Sequence, residues 1–203
     1  MTDFGPDVSR ETSEKLKLYA NLLRKWNKKI NLVAPGTLEG LETRHFADSL
    51  QLLQHAPEEA QSWADLGSGG GFPGLVAAIQ AQNTRPALKF TLVESDQRKA
   101  AFLRQVSRET DVPVTILATR IENLPENSLY DVLSARALAS LPKLLDLTEQ
   151  LRTPKTTCVF PKGARFKQEM SEALDRWEFK AQTVPSTTDP SAAILVLTDI
   201  SHA

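Results

Sequence analysis

With 203 residues the chain can bury one sizeable core, and it suits a single α/β domain with a small N-terminal attachment. Its 24 Lys and Arg against 25 Asp and Glu leave a net charge of −1, which excludes a globally basic nucleic-acid binder; a surface for RNA has to be a local concentration of cations. A lone cysteine, Cys158, excludes an internal disulfide, no apolar run approaches the roughly 20 residues that span a bilayer, and residues 1–6 have neither the basic nor the apolar region of a leader, so the chain reads as soluble and cytoplasmic.

Residues 9–31 read as an amphipathic helix, with Leu16, Tyr19, Leu23, Trp26 and Ile30 at helical spacing on one apolar stripe. The same segment carries Arg10, Lys15, Lys17, Arg24, Lys25, Lys28 and Lys29 against only Glu11 and Glu14, and Pro35-Gly36 stops it. A second helix is predicted over 41–54, ended by Pro57. From there short β-rich runs at 62–66, 89–94, 114–118, 131–135, 156–160, 179–184 and 193–198 alternate with helical stretches at 74–82, 96–110, 141–151 and 165–175. Such alternation argues for a doubly wound, mostly parallel α/β sheet. The last two strands have only a loop marked by Pro185 and Pro190 between them, so they are expected to pair antiparallel. The chain divides into an N-terminal helical cap, 1–57, and one compact α/β domain, 58–203.

Five of the nine glycines lie in Asp65-Leu66-Gly67-Ser68-Gly69-Gly70-Gly71-Phe72-Pro73-Gly74, between a predicted strand and a predicted helix. That is where open α/β sheets bind ligands, and a merely structural turn needs one or two glycines. Gly69-x-Gly71-x-x-Gly74 matches the dinucleotide fingerprint. Asp65-x-Gly67-x-Gly69-x-Gly71 matches the acid-then-glycines pattern of enzymes that use S-adenosylmethionine. An acid two residues before the first glycine repels a pyrophosphate and attracts the ammonium of a methionine moiety, which favours the second reading. Glu94, at the end of the next strand, is placed to accept from both ribose hydroxyls, and Glu122, after the third strand, lies where an acid commonly meets the adenine amino group.

Together with Asn31-Leu32-Val33, Arg44-His45-Phe46-Ala47-Asp48-Ser49-Leu50, Arg120-Ile121-Glu122, Ser134-Ala135-Arg136-Ala137 and Pro161-Lys162-Gly163, this loop resembles the ribosomal small subunit methyltransferase G family, also called the glucose-inhibited division protein B family. The matching pieces keep the expected order and cover roughly residues 13–165. The resemblance implies a seven-stranded, Rossmann-like methyltransferase fold. It also implies transfer of a methyl group from S-adenosylmethionine to N7 of a guanine in the decoding region of 16S rRNA, leaving S-adenosylhomocysteine, with cofactor contacts at Gly67, Phe72, Ile121, Glu122 and Arg136. Family members often carry a basic residue before the last strand; Thr188-Asp189-Pro190-Ser191-Ala192 has none.

Guanine N7 has a free lone pair and no proton, so direct attack on a sulfonium methyl needs alignment rather than a general base. Arg136, at the end of the fourth strand, is the first candidate for the floor of the site, against the plainer role of a surface strand-end arginine. His45 and Asp48, three apart on one helix face, are candidates for positioning the base; the alternative is a hydrogen-bonded core pair. Arg44 reads as a phosphate contact, Lys162 with Arg165 and Lys167 as a basic rim, and the helix face bearing Arg24, Lys25 and Lys28 as a further RNA surface, although charge runs are more often simply solvated.

Four other readings compete with this one. An adenine-N6 enzyme would carry an Asn/Asp-Pro-Pro-aromatic segment after the fourth strand, where Ser134-Ala135-Arg136-Ala137 stands instead. A cytosine-C5 enzyme would need Cys158 as nucleophile, but Thr157-Cys158-Val159-Phe160 reads as buried strand. A nicotinamide dehydrogenase would need a substrate domain for which little chain remains. A non-catalytic rRNA-binding factor would keep the fold without binding the donor. His45, His55 and His202 are scattered, so no metal site is expected. A monomer acting on 16S rRNA, free or within the 30S subunit, is the expected assembly.

Overall fold

The computed structural model describes Phe4 and residues 8–203. Most of the opening segment from which the absence of a leader is inferred lies outside the described residues, as does the very start of the cap.

Helix α1 (Arg10–Asn27) begins at Ser9, whose Oγ accepts from the Thr12 N–H at 3.1 Å. It stops short of residue 31 because the Asn27 side chain captures the chain that follows. Asn27 Oδ1 accepts from the N–H groups of Leu32 and Val33, both at 2.9 Å, and Nδ2 donates to the Val33 carbonyl at 3.1 Å. Leu16, Tyr19 and Leu23 are buried, while Trp26 and Ile30 are half-buried at the edge of the same cluster. The helix expected over 41–54 is instead three short pieces: a π-helical turn (Leu41–Phe46), helix α2 (Ala47–Leu50) and a 3-10 turn (Leu53–His55). Leu41 and Phe46 are both fully buried although five apart, a spacing that a wide π turn aligns and an α-helical turn splays.

The remaining elements are β1 (Ser62–Leu66), α3 (Gly74–Thr84), β2 (Lys89–Val93), α4 (Gln97–Thr110), β3 (Val114–Leu117), β4 (Val132–Ala135), α5 (Leu141–Thr148), β5 (Thr157–Lys162), α6 (Phe166–Leu174), β6 (Trp177–Pro185) and β7 (Ala193–His202). They form one seven-stranded sheet in the order β3-β2-β1-β4-β5-β7-β6. The strands from β3 to β5 run parallel, and β7 inserts antiparallel between β5 and β6. β7 runs past residue 198 because pairing with β6 resumes beyond a bulge and continues to Trp177 opposite His202.

Helices α1, α3 and α4 cover one face of the sheet and α5 and α6 the other. Residues 75–79 of α3 are buried all round, since the helix lies between the sheet and α1. Leu16, Tyr19, Leu23 and Phe46 share one apolar cluster with Leu75, Phe102 and Leu103, so the core runs across residue 57 without a break. No described helix is long and apolar enough to cross a membrane.

Candidate active site at the carboxyl ends of the strands

The loop from β1 to α3 forms one wall of a cavity of about 900 Å³. Gly67 to Gly70, Phe72 and Arg136 line that wall; Arg44, His45 and Asp48 line the cap side, with Lys162 and the β6–β7 loop across from them. Eight of the residues singled out from sequence thus meet around one space: Gly67, Gly69, Phe72, Arg136, Arg44, His45, Asp48 and Lys162.

The back of the glycine loop is held by the cap. Tyr19 Oη donates to the Gly70 carbonyl, and the Tyr19 ring stacks on Phe72 at a centroid distance of 5.7 Å. Burial raises the Tyr19 pKa well above the usual phenol value, so the hydroxyl stays a donor. A Cβ on Gly71 would land on Tyr19 Oη, 3.1 Å from Leu75 Cβ, with φ at +93°. Gly71 therefore serves the docking of α1, a role that the glycine pattern alone did not suggest. Gly74 is likewise a packing glycine: a Cβ there would lie 2.7 Å from Asp65 Cγ.

Asp65 corrects the expectation of a direct contact with the donor's ammonium. Its side chain is fully buried beneath the loop and is not on the cavity wall. Trp63 Nε1 donates to Ser134 Oγ at 2.8 Å, and Ser134 Oγ donates to Asp65 Oδ1 at 2.7 Å. Oδ2, against Gly74, takes no hydrogen bond among the described residues. Burial pushes the Asp65 pKa up to about 6 against the pull of the Ser134 and Ser68 hydroxyls, the nearby Gly74 N–H and Arg136. Trp63 carried no sequence signal beyond its place in a buried strand, and Ser134 stood out only as part of Ser134-Ala135-Arg136-Ala137.

Glu94 is buried at the end of β2, where Oε2 accepts from the Gly69 N–H at 2.8 Å and Oε1 from the Asp96 N–H at 2.7 Å. Ile121 is buried in the turn after β3, and Glu122 is exposed beside Lys143 and Asp146. These three lie outside the 900 Å³ cavity. Leu138, on a turn in which Ala137 has φ +54°, rests against Gly67, so that a Cβ on Gly67 would come within 2.7 Å of it.

Arg136 stacks its guanidinium on Phe72, 4.8 Å from the ring centroid. Burial lowers its pKa, while the carboxylate of Asp48, Tyr19 and Asp65 raise it. His45 and Asp48 both reach the cavity, but they do not pair with each other. His45 Nε2 lies 2.8 Å from Thr37 Oγ1, and Nδ1 is buried with no partner among the described residues. Burial, with Arg136 and Arg44 nearby, pushes the His45 pKa down to about 4, so the ring is neutral at pH 7. Asp48 Oδ1 accepts from the hydroxyls of Ser186, at 3.3 Å, and Thr188. Gln51 Oε1 accepts from the Thr187 N–H at 2.9 Å, so α2 and the residue after it tie down the β6–β7 loop. Periodicity gave no hint of this tie, because it joins residues about 140 apart in sequence.

Two of the expected RNA cations are already committed. The Lys162 side chain is 8% exposed; its ammonium lies 2.8 Å from Glu169 Oε2 and donates to the Ala139 carbonyl at 2.7 Å. It is a buried ion pair lining the cavity, not a free rim cation. Arg24 donates to both carboxylate oxygens of Glu42, at 2.6 and 2.9 Å. Lys25, Lys28, Arg44 and Arg165 are exposed.

The fold is shared with solved methyltransferases. An O-methyltransferase from Bacillus cereus, in complex with SAH, superposes with a TM-score of 0.60 at 14% identity, covering 97% of this chain and 94% of that one. A ribosomal protein L11 methylase from Lactobacillus delbrueckii subsp. bulgaricus gives 0.59 at 12% identity, over 77% and 78% of the two chains. In sequence, the ribosomal RNA small subunit methyltransferase G of Paracoccus denitrificans is 49% identical over 97% of this chain and 99% of its own length. That of Cereibacter sphaeroides is 48% identical over 97% and 95%. The family model described as rRNA small subunit methyltransferase G matches residues 12–194. The chain belongs to the rRNA small subunit methyltransferase G family.

Proposed function

We propose that the protein transfers a methyl group from S-adenosylmethionine to N7 of a guanine in the decoding region of 16S rRNA, by direct in-line attack and without a covalent intermediate. The observation that carries this is the cavity itself: loop backbone without side chains at Gly67 and Gly69 meets the Arg136 cation in one space wide enough for a flipped-out base. The residues fit the donor. Each Glu94 oxygen makes one backbone hydrogen bond and keeps acceptor capacity for a ribose hydroxyl. Ile121 and Glu122 follow β3 along the same row of strand ends, where an adenine would lie. Asp65 acts from beneath the loop, by charge rather than by contact.

When bound, S-adenosylmethionine supplies an electrophilic methyl on a sulfonium. The chain's own residues then have to align and exclude. Arg136, fixed on Phe72, offers a donor to the O6 edge of guanine. His45, neutral, packs against the same ring at 5.2 Å and shapes the cap side without adding charge. Nothing here takes a proton, and none has to be taken. Cys158 is fully buried in β5 with its thiol pushed up to about 12, which argues against a thiolate route. Arg44, Arg165, Lys25 and Lys28 supply the contacts to RNA phosphates; Lys162 and Arg24, already paired, shape the surface. In this reading residues 1–57 cap the domain 58–203 as one compact, cytoplasmic monomer that acts on 16S rRNA, free or within the 30S subunit.

The test is methylation of deproteinised 16S rRNA and of whole 30S particles from a strain lacking the activity, followed by mass mapping. The expected product is a single 7-methylguanosine. Label on cytosine or adenine, or tighter binding of NAD than of S-adenosylmethionine in calorimetry, overturns the proposal.

A further inference from the structure

N7 occurs in adenine as well as in guanine, so alignment of N7 with a methyl group does not select the base. A donor from Arg136 to O6 reads only the Hoogsteen edge; a second reading is open on the opposite, Watson–Crick edge, which base-modifying enzymes contact when the nucleotide is flipped out. On that edge guanine presents two adjacent donors, N1–H and the 2-amino group, whereas adenine presents an acceptor at N1. The matching reader is an acceptor with no donor of its own, and an ionised carboxylate is one.

Three carboxylates line the cavity: Asp48, Glu169 and Asp189. Glu169 is neutralised by Lys162 and also accepts from the Leu141 N–H at 2.9 Å. Asp189 is exposed, and its Oδ1 is turned into its own loop by the Ser191 N–H and hydroxyl at 2.8 and 2.7 Å. Asp48 alone is half-buried and free of any ion pair among the described residues. The Ser186 and Thr188 hydroxyls both donate to Oδ1 and fix the carboxylate's orientation. Oδ2 takes no hydrogen bond from any described residue, so both of its acceptor sites are available.

We infer that Asp48 is a guanine-selecting residue, its Oδ2 accepting from N1–H and the 2-amino group and so turning N7 and O6 toward the glycine loop and Arg136. This rests on the proposed guanine-N7 reaction and adds to it which edge is read, and by what. It also gives the β6–β7 loop a task that needs no basic side chain: Ser186 and Thr188 set the reader.

The test uses 30S particles reconstituted with 16S rRNA bearing guanosine or inosine at the mapped target. Inosine keeps N7, O6 and N1–H and lacks the 2-amino group. The full-length protein is expected to methylate inosine with kcat/KM at least about 10-fold lower, the size expected for one hydrogen bond to a charged group. Asp48→Asn is expected to lose rate on guanosine and to narrow the guanosine-to-inosine ratio to about twofold, with S-adenosylmethionine affinity retained. Equal rates on both bases for the unaltered protein overturn the assignment, whether or not the variant folds. So does an Asp48→Asn variant slowed by the same factor on both. A methyl group mapped to a base other than guanine instead overturns the proposed reaction, and does so before inosine is used.

Discussion

Asp65 is a carboxylate that the fold buries completely, with its one close hydrogen bond, from Ser134, at Oδ1. Its pKa, about 6, lies above the ordinary value of 3.8, so the native state holds its proton more tightly than the unfolded chain does. Between about pH 4 and pH 6 stability therefore falls as pH rises, and above pH 6 the charged group costs about 3 kcal/mol. His45 works in the opposite sense. Its pKa is depressed from 6.5 to about 4, so its contribution is complete above pH 6.5 and is lost as pH falls toward 4. The Asp65→Asn variant isolates the carboxylate's share. Urea unfolding is expected to show it gaining up to about 3 kcal/mol on the parent between pH 4 and pH 6, with no further gain above; a pH-independent difference would show that the carboxylate is not strained by burial. Cys158 makes a second residue-scale prediction. Cys158→Ala should keep methyl transfer within about twofold, losing about 1 kcal/mol of stability for the missing sulfur, and the native thiol should resist alkylation. An inactive variant that still folds would bring a covalent route back.

At the scale of elements, the decisive contact is between α1 and the glycine loop. Tyr19 reaches across to the Gly70 carbonyl, and Gly71 exists so that Tyr19 can come that close. Tyr19→Phe removes one buried hydrogen bond and should cost about 1–2 kcal/mol, or a few degrees in Tm for a chain of this length. Gly71→Ala should cost more, because its Cβ meets the hydroxyl and its φ is left-handed. The two changes should not add. In the Tyr19→Phe background the alanine loses its nearest clash, so a thermal-melt double-mutant cycle should show the pair less destabilised than the sum. Strict additivity would mean that backbone strain, and not Tyr19, makes position 71 a glycine. From sequence these glycines stand out, but as partners of a ligand. Phase and spacing reveal which face of α1 is apolar, yet they do not reveal that Tyr19, on that face, ends against a loop some 50 residues away.

For the whole molecule, strands β1 to β5 and the antiparallel end of the sheet were legible, since alternating short apolar runs and helical stretches leave few topologies. The cavity was legible where residues sit at strand ends, as with Gly67 and Arg136. The roles of the RNA-facing cations were less so, because a sequence shows a cation but not its partner: Lys162 and Arg24 are taken by Glu169 and Glu42. Lys25, in the last turn of α1, and Lys28, just after it, are exposed at the end that leads through Leu32 to the glycine loop. If they meet phosphates, each releases counterions on binding. The logarithm of the association constant for 30S particles should then fall less steeply with the logarithm of salt in a Lys25→Gln, Lys28→Gln variant, by about 0.7–0.9 for each phosphate no longer neutralised and so by about 1.5 in all. Affinity at low salt should drop while S-adenosylmethionine binding stays as it was. The counterpart Arg24→Gln should leave the slope within about 0.3 of the parent, its charge being held by Glu42. An unchanged slope for the double variant would move the RNA surface off α1, leaving Arg44 and Arg165 at the cavity mouth to carry it.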